Sequence, residues 1–146
     1  MRAAVIYTSA TGNTEELASW VYEAWLKRNS KIEWYDVEDV PIDELGEFDC
    51  LAIGTFTWGN GEIPDSMMDL YEALEEQDVS NVSVGIFGTG DRCYPHFCGA
   101  VDAFRDMLYV HANLAVTLKV ELSPMQSERE KCEAFVDRLV REVVYV

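Results

Sequence analysis

The sequence predicts an α/β domain built on a doubly wound, five-stranded parallel sheet in the order 2-1-3-4-5, with helices on both faces. Three observations carry this expectation. Short apolar segments alternate along the chain with longer stretches of helical periodicity. Three of the apolar segments are almost uninterrupted while two alternate with polar residues, and loops of unusual composition follow the first, third and fourth.

The elements follow in order. Residues 3–7, "AAVIY", read as a fully buried first strand, and Leu17, Ala18, Val21, Ala24 and Trp25 then recur at helical spacing. In residues 32–37 Ile32, Trp34 and Tyr35 mix with Glu33 and Asp36, the pattern of a strand with one wet side. Residues 50–53 are a second continuous apolar strand, followed by the stripe Met67, Leu70, Tyr71 and Leu74. Residues 82–87 are the third, followed by Phe97, Val101, Phe104 and Leu108. In residues 114–122 Leu114, Val116, Leu118, Val120 and Leu122 face away from Thr117, Lys119 and Glu121, and Cys132, Phe135, Val136, Leu139, Val140 and Val143 close the chain as a helix. A strand covered on both faces must be apolar throughout, so the second and fifth strands are the edges. Right-handed crossovers then select the stated order, in which ligands sit beyond the carboxyl ends of the strands beside strand one.

At 146 residues and 49% hydrophobic composition, the chain is expected to form one domain over residues 1–146. The opening "MRAAVIYTSA" is too short an apolar run for a signal core or a membrane span, which points to a soluble, cytoplasmic protein. Cys50, Cys93, Cys98 and Cys132 form no C-x-x-C pair and have no His at metal spacing, so they read as buried or free thiols with no metal site. A net charge of -16 repels nucleic acid and anionic lipid and suits a basic protein partner.

Three loops converge at one end of such a sheet. "SATGNT" after strand one supplies hydroxyls at Ser9, Thr11 and Thr14, the amide of Asn13, and a flexible Gly12 just before a helix. Unpaired N–H groups and the helix dipole bind a phosphate without a cationic side chain, while an ordinary turn with Asn13 or Thr11 capping the helix fits this stretch equally well. Neither a Walker loop nor a dinucleotide fingerprint is present. "GTFTWGNGEIP" after strand three places Trp58 among Thr57, Gly59, Asn60 and Gly61, and "GTGDRCYPHFCGAVDAF" after strand four adds Tyr94 beside Gly88, Gly90 and Gly99. A phosphate nest and two loop-borne rings across a crevice suggest a flat, phosphorylated aromatic ligand.

These three stretches, in this order and spacing, resemble the flavodoxin family, and the similarity covers essentially the whole chain. The uninterrupted fifth strand, "LAVTLKVEL", resembles the short-chain subgroup. The resemblance implies a flavodoxin-like sheet holding one non-covalent flavin mononucleotide (FMN), with Ser9, Ala10, Thr11, Gly12, Asn13 and Thr14 around its phosphate. Trp58 and Tyr94 would sandwich the ring, and the backbone of Asp91, His96 and Cys98 would meet its pyrimidine edge. The Gly59–Asn60 peptide would lie beside the central flavin nitrogen, with Thr55, Thr57, Gly61, Thr89, Gly90 and Phe97 completing the cofactor contacts. Ala10 stands where Thr or Ser is frequent, Asn60 where Asp is common and Cys93 where Ser is frequent, and none of these removes a stacking ring.

The function implied is that of a low-potential one-electron carrier, not an enzyme with its own turnover, shuttling between semiquinone and hydroquinone. Electrons would pass from a reductase or photosystem to redox enzymes. Glu62, Asp65, Asp69, Glu72 and Glu76 form an acidic stripe, either a plain solvated helix face or a docking surface for basic redox proteins such as a ferredoxin/flavodoxin–NADP reductase and acceptor oxidoreductases. The protein is expected to be a monomer, without nucleic-acid binding or membrane insertion. An FMN-dependent NAD(P)H quinone or azo reductase is the enzymatic alternative, but Trp58 and Tyr94 leave little room for a nicotinamide over the ring. A phosphoacceptor receiver domain needs carboxylates where this chain has Thr8-Ser9 and Gly54-Thr55.

Overall fold

A computed structural model describes residues 1–28 and 31–143. The strands are β1 (Ala3–Tyr7), β2 (Ile32–Asp36), β3 (Cys50–Phe56), β4 (Val79–Gly90) and β5 (Ala112–Glu121). The helices are α1 (Asn13–Leu26), α2 (Met68–Glu76), α3 (Gly99–His111) and α4 (Glu128–Arg141), with 3-10 turns at Ile42–Glu47 and Asp65–Met67. The strands form one parallel sheet in the order β2-β1-β3-β4-β5, as expected.

Period-two alternation divides each central strand between two cores. Ala4 and Ile6 of β1 pack with Leu51 and Ile53 of β3, Val84 and Ile86 of β4, Leu70 and Leu74 of α2, and Phe104 and Leu108 of α3. Ala3, Val5 and Tyr7 point the other way, toward Leu17, Val21 and Trp25 of α1 and Phe135, Val136 and Leu139 of α4. Burying both faces is what makes β1 apolar at every position. Gly54 of β3 leaves space that the Phe87 ring fills, since a Cβ there would lie 2.3 Å from Phe87 Cε2.

The structure departs from the sequence expectation at element ends and in β5. β4 extends past 82–87 in both directions: Val79 pairs with Ala112 at one end, and at the other Gly88, Thr89 and Gly90 pair with β5, and Gly88 and Thr89 with β3 as well. The expected common face of residues 114–122 is broken. The register steps from Val84↔Leu114 to Gly85↔Val116, leaving Ala115 as an extra residue. Leu114 therefore joins the α2–α3 core, and Val116, Leu118 and Val120 the α1–α4 core. Leu122 lies beyond the strand, half-exposed, with φ 52°. Met67, Phe97 and Val143 fall just outside α2, α3 and α4, although each still packs inward. Among the described residues no helix is long and apolar enough to cross a membrane.

Candidate functional site

Because all five strands run parallel, the loops leaving β1, β3 and β4 emerge at the same edge of the sheet. The first links β1 to α1 through Gly12, whose φ of 94° is a left-handed conformation that suits glycine. The Gly12 N–H donates to Ser9 Oγ at 3.0 Å, and the Gly12 carbonyl accepts the first helical hydrogen bond, from the Glu16 N–H, at 2.9 Å. No side chain caps α1, so the N–H groups of Asn13, Thr14 and Glu15 have no intrahelical acceptor. Capping by Asn13 or Thr11 is thus not the arrangement adopted. Asn13 is the first helical residue, and its Oδ1 accepts from the Ser123 hydroxyl at 3.3 Å. Thr14 turns inward, its buried hydroxyl 2.7 Å from Thr89 Oγ1.

The second loop closes into a tight turn. Trp58 N–H donates to the Glu62 carbonyl at 2.8 Å, and Glu62 N–H donates back to the Trp58 carbonyl at 2.7 Å. Asn60 sits exposed at its tip between Gly59 and Gly61, both at positive φ. The ring of Trp58 stays 60% exposed, with an edge-on contact to Phe56 at 6.3 Å. Thr57 Oγ1 accepts from the Ala100 N–H at 3.2 Å and ties this loop to the start of α3. A Cβ on Gly99 would stand 2.6 Å from the Gly61 Cα, so the second and third loops abut backbone to backbone.

The third loop folds around Asp91, whose carboxylate accepts from the Cys93 N–H at 2.8 Å and whose carbonyl accepts from the Tyr94 N–H at 3.1 Å. Tyr94 is left 58% exposed. Arg92 turns away from the other two loops, with Nε 3.6 Å from Glu121 Oε2 and its guanidinium 4.7 Å from the centroid of the Phe97 ring. The environment of the two cleft-side thiols disfavours the thiolate. Burial pushes Cys98 up to about 11, and a hydrogen bond to the Asp91 carboxylate raises exposed Cys93, so both stay protonated at neutral pH. Cys50 and Cys132 are buried, and all four cysteines are free.

The loops enclose a cleft of about 410 Å³. Ala10, Thr11 and Asn13 line one end, Thr57, Trp58 and Gly59 one side, and Thr89, Gly90, Asp91, Tyr94, His96 and Cys98 the other. Ser9, Gly12, Thr14, Thr55, Asn60, Gly61 and Phe97 do not line it. Ser9 and Gly12 bond to each other, Thr55 is buried with its hydroxyl on the Phe56 carbonyl, and Phe97 packs on the α2–α3 core. Two lining residues escaped the sequence reading, Phe56 and Leu122. Phe56 directly precedes the second loop. Leu122 directly follows β5, and the strand order, which sets β5 beside β4, was the signal that could have found it. No Lys or Arg lines the cleft, and among the described residues no group of His, Cys, Asp and Glu could hold a metal ion. The lining offers flat apolar faces, backbone N–H groups and hydroxyls, a set suited to binding rather than to covalent catalysis.

The family model described as Flavodoxin matches residues 5–134. The chain belongs to the flavodoxin family. It is similar to "Probable flavodoxin 1" of Bacillus subtilis, 36% identical over 138 residues that span 92% of this chain and 87% of the relative. It is equally similar, 36% over 132 residues, to a flavodoxin of Maridesulfovibrio salexigens, covering 87% of this chain and 90% of that one. The crystal structure of oxidised flavodoxin 1 from Bacillus cereus superposes with a TM-score of 0.89 at 32% identity, covering 99% of this chain and 100% of the other. As in a short-chain flavodoxin, β5 runs from Ala112 to Glu121 without an inserted loop.

Proposed function

We propose that this chain is an electron carrier that holds one FMN non-covalently in the cleft and works at low potential between the half-reduced and fully reduced flavin. One observation carries the reading. Two large rings, Trp58 and Tyr94, stand more than half exposed on a single cleft whose far end is an uncapped helix N-terminus. Exposed aromatic faces are unfavourable in water, and a flat ligand covers them.

The residues present fit the cofactor. Thr11 and Asn13 on the lining, with the Ser9 hydroxyl and the backbone of Gly12 behind them, would hold the phosphate, the Gly12 N–H having to leave Ser9 Oγ to do so; Thr14 would contribute its N–H because its hydroxyl is committed to Thr89. Trp58 and Tyr94 would take the two faces of the ring, and the backbone of Asp91, His96 and Cys98 would meet its polar edge. The Gly59–Asn60 peptide sits at the tip of a turn flanked by two glycines at positive φ, and would face the central flavin nitrogen. The redox chemistry is that of the flavin, and the protein supplies orientation, stacking and electrostatics.

The electrostatics favour electron donation. Asp91 lines the cleft, Glu62 and Asp65 lie close by in sequence to Trp58, and the net charge is -16. An added electron is disfavoured by about 1 kcal/mol for each unit charge at 4 Å in bulk water and by several times that near a protein surface. The reduced protein is therefore a strong donor. Its partners in this reading are basic redox proteins, a ferredoxin/flavodoxin–NADP reductase and acceptor oxidoreductases, docking at the exposed Glu62, Asp65 and Asp69.

The test is the absorption spectrum during stepwise reduction of the FMN-loaded protein. A yellow protein that passes through a stable blue species supports the carrier, and a direct two-electron bleach overturns it. Oxidation of NAD(P)H by the purified protein without any reductase would favour the quinone or azo reductase instead. Tyr94→Ala is expected to weaken FMN binding about tenfold and to raise the potential of the second electron, and unchanged values would remove the stacking role.

A further inference from the structure

Leu122 carries two unfavourable features at once. Its φ of 52° lies in the left-handed region, where a Cβ crowds the following carbonyl and where Gly, Asn and Asp are the usual occupants. Its side chain is also 51% exposed, so little of its apolar surface is covered by the fold.

The other non-glycine residue at positive φ among the described residues, Cys98, is different. It has the same φ of 52°, but its side chain is 1% exposed and packs beneath Gly90 in the interior. The strain at Cys98 is accompanied by full burial of its side chain, whereas the side chain of Leu122 gains no such burial from the fold. Backbone strain of this kind persists where surrounding structure or function holds it.

Two hydrogen bonds hold it. The Leu122 N–H donates to the Gly90 carbonyl at 2.7 Å, which locks the residue to the end of β4. The next residue, Ser123, donates through its hydroxyl to Asn13 Oδ1 at 3.3 Å, which ties the same turn to the start of α1. The turn after β5 thereby bridges the first and third loops of the cleft, and Leu122 is the residue it places on the cleft lining.

We propose that Leu122 is a flavin-binding residue, an apolar wall on the β5 side of the cleft, held in a strained backbone conformation and covered only when FMN is bound. This inference rests on the flavin reading above. It makes the residue unfavourable for the empty protein and favourable for the loaded one, a combination that a purely structural leucine does not show.

The experiment uses the full chain, stripped of flavin and then titrated with FMN while quenching of flavin fluorescence is followed, together with thermal melting of the FMN-free protein. Leu122→Ala removes the wall and keeps a Cβ in the left-handed region. It is expected to weaken FMN binding about tenfold with little change in the melting of the empty protein. Leu122→Gly removes both, and is expected to weaken FMN binding by at least as much while raising the melting temperature of the empty protein. Met125→Ala, at an exposed apolar residue that does not line the cleft, is expected to bind FMN within twofold of the parent.

Opposite movement of affinity and empty-protein stability in Leu122→Gly supports the proposal. A parent that binds FMN alongside a Leu122→Ala variant within twofold of it overturns the proposal and leaves the flavin reading standing. A parent that binds no FMN overturns both.

Discussion

Thr14 shows how far one residue can be read from a sequence. Its place in "SATGNT" suggests a hydroxyl aimed at a ligand, yet only its backbone is available, because the hydroxyl pairs with Thr89 across 75 positions of chain. No local pattern announces such a contact. Thr14→Val leaves Thr89 Oγ1 buried without its partner, and the FMN-free protein is expected to lose about 1–3 kcal/mol. Its melting temperature should fall by roughly 4 °C per kcal/mol in a chain of this size, and an unchanged melt would show that the pair is dispensable. Glu33 offers a second test. Its carboxylate accepts from Arg2 Nε at 2.9 Å and from the Tyr35 hydroxyl at 2.6 Å, and the Arg2 bond foremost holds its pKa below the usual carboxylate range. A depressed folded value means that stability from this group is fully present above the ordinary value of about 4.3 and is lost as pH falls through the folded value. Glu33→Gln should therefore lower the urea midpoint slightly at pH 7 and converge on the parent in strong acid. A constant difference across pH would assign the effect to packing. The magnitude is small, because both partners are about one-third exposed.

The elements themselves were legible where a single rule decided them. β1 is apolar at every residue because helices cover both its faces, and α1 keeps its buried stripe at helical spacing for the same packing reason. The ends of elements were not legible. Gly88 and Gly90 have weak strand preference, and they are strand because β5, and at Gly88 also β3, supplies a hydrogen-bonding ladder beside them. The step in β5 at Ala115 was equally hidden, since a bulge depends on the register of two strands brought together in space. Glycines inside strands carry the clearest signal of close packing, and Gly54 is the case to test. Gly54→Ala sets a methyl 2.3 Å from the Phe87 ring, which already packs edge-on against Phe135 with centroids 5.6 Å apart. The ring has nowhere to move, so the variant is expected to lose about 1–3 kcal/mol of unfolding free energy in urea. A neutral result would mean that this core relaxes more readily than its packing indicates.

Across the whole molecule, charge is divided in a way that net charge alone conceals. Residues 32–91 hold 16 of the 27 carboxylates and no Lys or Arg, so the other 11 carboxylates balance the 11 cations and this one stretch carries the full -16. In space it is β2, β3, β4 and α2, while the cations just past the end of α1 pair with carboxylates of α4, Lys27 with Glu133 at 2.7 Å and Arg28 with Asp137 at 2.7 Å. Docking of a basic reductase on the α2 side is expected to slow steeply with added salt, by about tenfold or more between dilute buffer and 0.5 M. Reduction rates insensitive to ionic strength would remove the docking surface. Strand order, the two edge strands, the family and most of the residues lining the cleft are legible in one dimension, because periodicity, alternation and glycine-rich loops are local. Tertiary structure alone decided which way Thr14 points, where the face of β5 switches, and that Leu122 stands in the cleft with a strained backbone. Each of those depends on a partner far away in the chain, and hydrogen bonds and packing between distant segments leave no local pattern to read.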